Sequence, residues 1–111
     1  MGCALNQDVL PWGMPNPPSE VDKAYAAAFF DAEGHLKDRR WPAIGNTYPP
    51  VLEWLQQLWG GRLAVAKSYS PRAKVFHVLS LRSAEAIRFL TDILPYLKEK
   101  QRAASVALKY L

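Results

Sequence analysis

Asp31 and Glu33 stand two residues apart just before Gly34, at the end of an alanine-rich stretch with helical spacing. A carboxylate in the last turn of a helix faces the negative end of the helix dipole, which costs roughly 0.3 to 1 kcal/mol per acid. Two acids there can be read in two ways. They are solvated at a frayed end, or a divalent cation or other positive partner lies against them and reverses the sign of the interaction. The second set of candidates is basic. Lys37, Arg39, Arg40, Arg62, Lys67, Arg72, Lys74 and Arg82 crowd the middle of the chain against only Asp38 and Glu53. Such a stretch is either a solvated surface or a seat for a polyanion. For the two histidines, solvent exposure of His35 and core burial of His77 are more economical readings than catalysis.

The acids sit on a helix read from Val21 to Gly34, VDKAYAAAFFDAEG. Ser19 offers an N-cap oxygen and Asp22 completes a capping-box pattern, so the helix begins just after Pro17 and Pro18. Ala24, Ala28 and Ala32 recur at every fourth residue, with Ala27 beside them, and form a stripe that another helix can approach closely. Tyr25, Phe29 and Phe30 cover the flanks, so the helix is expected to be buried on every side except at its start, and Gly34 to stop it.

Downstream, His35 to Thr47 reads as two short strands around a tight turn at Lys37 to Arg40. Thr47 is the expected cap of a second helix with Pro49 and Pro50 in its first turn, whose Val51, Leu52, Leu55, Leu58 and Trp59 share one face. Gly60 and Gly61 end it. Arg62 to Ser68 and Lys74 to Leu81 form a second hairpin around Tyr69-Ser70-Pro71-Arg72, with Phe76 and Val78 at outer positions of its last strand. Ser83 is then expected to cap a third helix that Pro95 breaks, and Tyr96 to Leu111 to form the last, burying Leu97, Ala104, Leu108 and Leu111.

The stretch Ala26 to Gly34, AAAFFDAEG, resembles the signature of the LAGLIDADG homing endonucleases, with Asp31, Ala32, Glu33 and Gly34 matching its second half. The element order resembles the α-β-β-α-β-β-α arrangement of one such domain, an α+β fold. Asn46-Thr47 before VLEWLQQLWGG and the segment Phe89 to Leu108 extend the resemblance over residues 22 to 111. It implies a four-stranded antiparallel saddle sheet with helices on one face and the other face in the DNA major groove. It also implies a sequence-specific double-stranded DNA endonuclease, of the kind mobile introns carry, acting as a homodimer by metal-dependent phosphodiester hydrolysis. In that scheme Ala24, Ala27, Ala28 and Ala32 pair the two helices, and Glu33 holds Mg²⁺ or another divalent cation with the Ala32 carbonyl as second ligand. Asp31 supports the helix end. Asn46 positions water, and Arg82 or Lys74 steadies transition-state charge. Lys37, Arg39, Arg40, Arg62, Lys67, Arg72 and Lys74 contact DNA. The alternative on the same fold is a DNA- or RNA-binding module, a maturase or regulator, that does not cut; the blandest is a protein-interaction domain.

The 111 residues, half of them hydrophobic, make one domain with a modest core, assigned to residues 19 to 111. Residues 1 to 18, with Pro11, Pro15, Pro17 and Pro18, read as an extended arm that Trp12 anchors. Asn6 stands where a myristoylation signal wants Ser or Thr. The single cysteine, Cys3, gives no disulfide framework and suits an intracellular, reducing compartment. No apolar run is long enough for a membrane span, so no membrane partner is expected.

Overall fold

A computed structural model describes residues 17–66 and 75–111. The arm therefore lies outside the described residues, apart from its last two prolines. So do the turn of the second hairpin and with it Lys67, Arg72 and Lys74.

The first helix, α1 (Glu20–Glu33), starts where the capping signals place it. The Asp22 amide donates to Ser19 Oγ and the Ser19 amide to Asp22 Oδ2, each at 3.0 Å. Such a cap is worth about 1 kcal/mol. The alanines that follow are the strongest helix formers available. Burial is narrower than expected: only Ala26, Ala27 and Phe30 are enclosed, while Tyr25 stays 56% exposed. Gly34 ends the helix, as expected, through close packing and not through a left-handed turn. Its backbone is extended (φ −95°), not left-handed, and it opens strand β1 (Gly34–Lys37). A side chain at Gly34 would collide with the Phe30 ring, so close approach is what requires glycine.

β1 pairs antiparallel with β2 (Trp41–Asn46), Gly34 opposite Ile44 and Lys37 opposite Trp41. The turn between them places Asp38 and Arg39 at φ 55° and 62°, with the Arg40 amide donating to the Lys37 carbonyl at 3.0 Å. A left-handed residue with a Cβ costs roughly 1–2 kcal/mol, and the charged tip carries that strain without glycine. The second helix, α2 (Pro49–Trp59), buries Leu52, Leu55 and Trp59. Thr47 does not cap it. The N-cap is Tyr48, whose amide donates to Asn46 Oδ1 at 2.8 Å, and prolines at the first two helical positions leave few amides to cap. Gly60 (φ 89°) and Gly61 (φ 104°) end α2 in backbone that favours glycine.

Strands β3 (Arg62–Ala66) and β4 (Phe76–Ser80) complete an antiparallel sheet of order β1-β2-β4-β3. Its inward residues, Leu36, Ile44 and Leu79 among them, pack under the helices in one core. In that core Phe30, Phe89, Trp59, Trp54 and Tyr25 follow one another edge to face, from the centre out to the surface of α1. Trp59 satisfies its ring N–H on Asp92 Oδ2 at 2.9 Å.

The third helix, α3 (Ser83–Ile93), has Arg82 at its N-cap, not Ser83; at φ 54° Ser83 makes no capping bond. After a 3-10 turn at Leu94–Tyr96 the chain does not continue as one helix to Leu111. Residues 97–100 intervene, and α4 covers only Gln101–Leu108, burying Ala104 and Ala107 while Leu108 and Leu111 are half-buried. The cause lies on α1. Asp31 draws in the amides of Lys98, Glu99 and Lys100, which a continuous helix would have spent on its own carbonyls. No helix among the described residues is long and apolar enough to cross a membrane.

Candidate functional site

The two acids in the last turn of α1 are used differently. The Asp31 carboxylate accepts three main-chain amides, from Lys98 at 2.7 Å, Glu99 at 3.2 Å and Lys100 at 2.9 Å. The Lys100 ammonium caps the Asp31 carbonyl at 2.6 Å and supplies the positive charge that the last turn of α1 itself lacks. Partial burial alone would raise the Asp31 carboxyl. The amides of Lys98, Lys100 and Glu99, and the charge of Lys100, outweigh it and hold the group below the ordinary aspartate value.

Glu33, the last residue of α1, is exposed and has no ion pair to a described residue. The Ala32 carbonyl lies in the same final turn, where main-chain acceptors run out of intrahelical donors. Ala24, Ala28 and Ala32 are exposed along one side, but Ala27 is fully enclosed in the chain's own core. Ala27 therefore belongs to the core, not to an outward contact stripe. Beside the stripe, Val21 (77% exposed), Tyr25 and Tyr48 (63% exposed) border a shallow apolar cleft with Pro50, Val51 and Trp54.

Strand register fixes what else reaches Glu33. Gly34 is opposite Ile44, so the end of α1 lies at the Gly45–Asn46 end of β2, and Asn46 is brought to the same end of the sheet as Glu33. Its Oδ1 is engaged by the Tyr48 amide. Arg82 is not brought there. Its guanidinium lies over the Trp41 ring, 5.8 Å from the centroid, three residues and roughly 10 Å along β2 from Ile44. No group of three or more acidic, histidine or cysteine side chains among the described residues could hold a metal within one chain.

The basic residues gather at the opposite end. Lys37, Arg39 and Arg40 are exposed at the tip of the first hairpin. Arg62 and Arg82 line one cleft of about 570 Å³ with Ser80, Ala64 and Glu85. The stacking of Arg82 on Trp41 and the pairing of Trp41 with Lys37 join tip and cleft into one rim. His35 is exposed, as its position suggested, whereas His77 is only half-buried. Two interactions could not be read in advance, the Asp31 link to residues 98–100 and the Arg82–Trp41 stack; both join residues far apart in sequence.

No family model matches the sequence, and no curated protein does. Solved structures do match. The homing endonuclease I-CvuI in complex with the I-CreI target, in the presence of 2 mM Mg with the DNA not cleaved, is similar with a TM-score of 0.62 and 20% sequence identity. The same endonuclease with its target Sro1.3 in the presence of 2 mM Ca gives a TM-score of 0.60 and 18% identity. Each match covers 81% of this chain and 65% of the other, so the chain spans somewhat under two thirds of the endonuclease's length. Helices and four-stranded antiparallel sheet together have the fold of these homing endonucleases.

Proposed function

We propose that two copies of this chain form a homodimer that binds a specific double-stranded DNA site and hydrolyses both strands with a divalent cation. The observation that carries the reading is Glu33, an exposed carboxylate at the end of a helix whose exposed side is a stripe of alanines. A two-fold axis beside that stripe would set the two Glu33 residues next to each other. The apolar surface of Val21, Tyr25 and Tyr48 beside the stripe supports a partner on this side.

The donors suit a hard cation. Among the described residues one chain offers a carboxylate and a helix-end carbonyl and no cluster of three ligating side chains, which suits Mg²⁺, an ion that keeps several waters and takes one or two carboxylates plus phosphate oxygens. When bound, the cation would polarise the phosphate and lower the pKa of the attacking water. Glu33 and the Ala32 carbonyl would hold it. Asp31 fixes the helix end on which Glu33 rides, and Asn46, at the same end of the sheet, is placed to orient water through its amide nitrogen. Lys37, Arg39, Arg40 and Arg62 neutralise phosphates, with Lys67, Arg72 and Lys74 assigned the same role from the sequence. Arg82, away from Glu33 in its own chain, is assigned to this DNA-contacting rim.

A non-cutting DNA- or RNA-binding module is the second reading, favoured by the apolar outer positions Phe76 and Val78. Glu33→Gln separates the two. Cleavage of a selected target with Mg²⁺ should be lost, DNA binding retained, and thermal stability equal or raised by about 0.3 kcal/mol, since a charge leaves the negative end of a helix. Retained cleavage together with lost stability would make Glu33 a structural acid.

A further inference from the structure

Residues on the outer face of the sheet stack in rows across the strands. Ala43, Ser80 and Arg62 form one row, Gly45, Val78 and Ala64 the next, and Phe76 with Ala66 a third. The Phe76 ring lies across Gly45, where any side chain would collide with it. Phe76 is 41% exposed, Ala64 is exposed, and Val78 and Ala66 are half-buried. Two adjacent rows therefore present methyl groups and a ring, and no hydrogen-bonding side chain. Polar and charged side chains return in the Ser80 row, which ends on His35 at one edge and Arg62 at the other, and beyond it stand Arg82 and Lys37, with Glu85 beside the two arginines.

The rim favours a polyanion, and the rows favour a polyanion that shows apolar groups at its edge. Thymine supplies one. Its C5-methyl is the large apolar group of the major groove; cytosine shows only a C–H at that position, beside an N4 donor, and the remaining edge features are donors or acceptors that these rows would desolvate without a partner. Side chains two residues apart on a strand are about 6.8 Å apart, near the length of two base-pair steps, so each row faces a separate part of the site. Resting on the reading of the chain as a DNA-binding protein, we propose that Phe76, whose ring covers Gly45, together with Val78 and Ala64 reads thymine methyl groups. Each half-site then carries A·T pairs beneath these rows, and among the described residues of the sheet the side chain placed to read guanine is Arg62.

The test places the perturbation in the DNA and leaves the protein intact. Sites bound by the full chain are selected from a random duplex library, and the best is remade with deoxyuridine for thymine at one position at a time. Removing a methyl that the protein touches should weaken binding about fourfold, the equivalent of one buried carbon. Thymines elsewhere in the site should be indifferent. Phe76→Ala, checked for native circular dichroism, should erase the difference at one of the sensitive positions. Equal affinity for thymine and deoxyuridine at every position, with salt-dependent duplex binding intact, overturns methyl reading and leaves the DNA-binding reading standing. Absence of any salt-dependent duplex binding overturns both. RNA of the same sequence binding as tightly as DNA also overturns the proposal, because uracil has no methyl to read.

Discussion

Replacing Asp31 by Ala removes one side chain and releases three amides. Those of Lys98, Glu99 and Lys100 all end on its carboxylate, so the residue acts as a cap supplied from another element. Replacing an ordinary N-cap by Ala costs about 1 kcal/mol, within a range of roughly 0.5 to 2. Three amides and a charged acceptor push toward the upper end, and water reaching the exposed amides of Lys98 and Glu99 pulls back from it. A loss of about 1–2 kcal/mol follows, equivalent to a fall in Tm of roughly 5–10 °C for a domain of this size. Asp31→Asn keeps an acceptor and should lose about half as much. The pH dependence has a definite sign. The folded carboxyl lies below its unfolded value of 3.8, so its contribution is complete above that value and is lost as pH falls through the folded value. Thermal melts of wild type and Asp31→Asn should therefore differ near neutrality and converge on acidification below about pH 4. Wild-type stability in Asp31→Ala, or a difference that persists unchanged into acid, would refute the account of Asp31 as an ionised cap.

Ala28→Leu adds bulk to the middle of the exposed stripe and should abolish dimerisation in sedimentation experiments with DNA present while leaving the monomer folded; an unaffected dimer would place the interface elsewhere. Arg39→Ala with Arg40→Ala should flatten the dependence of DNA affinity on salt, by about 0.9 logarithmic units for each phosphate that is no longer neutralised, as read from binding titrations at several salt concentrations. Gly45→Ala puts a methyl where the Phe76 ring lies, so the ring has to swing off the sheet at a cost of about 1 kcal/mol in denaturant unfolding.

Much of the fold was legible because the signals were local. Ser19 and Asp22 announce α1 three residues apart, Gly60 and Gly61 take positive φ where they end α2, and apolar spacing marks α2 and α3. The errors have both local and distant causes. The cap position of α2 falls one residue later than Thr47, on Tyr48, whose own amide is held by Asn46 Oδ1, and the last helix is shortened because the distant Asp31 draws off the amides of residues 98–100. Ala27 reads as part of the small-residue stripe in a helical projection, yet it faces Phe30's side of the helix and is enclosed. At the site, the sequence named both acids and most of the basic rim. It could not separate Arg82 from Glu33, because that distance depends on register: β4 runs from Phe76 at the Asn46 end to Ser80 at the Trp41 end and carries Arg82 away.

The spacing of the two acids explains why only one is free. Residues two apart on an α-helix are separated by roughly 200° around its axis, so Asp31 and Glu33 point to nearly opposite sides. Once one of them faces the 98–100 segment, the other must face away from it. Asp31 takes the inward place and three amides hold it there, with the Gly34–Phe30 packing and the pairing of β1 fixing the backbone just beyond. Glu33 is then an exposed side chain on a backbone held by packing on both sides. In the proposed dimer such a mount would help Glu33 meet its counterpart, because packing within one chain would set the start of the side chain before the other arrives. An acid placed one residue earlier would stand in place of Ala32 on the exposed stripe, about 100° around the axis from Asp31, and one placed later would lie in β1, where its direction would follow the alternation of the sheet instead of the end of the helix.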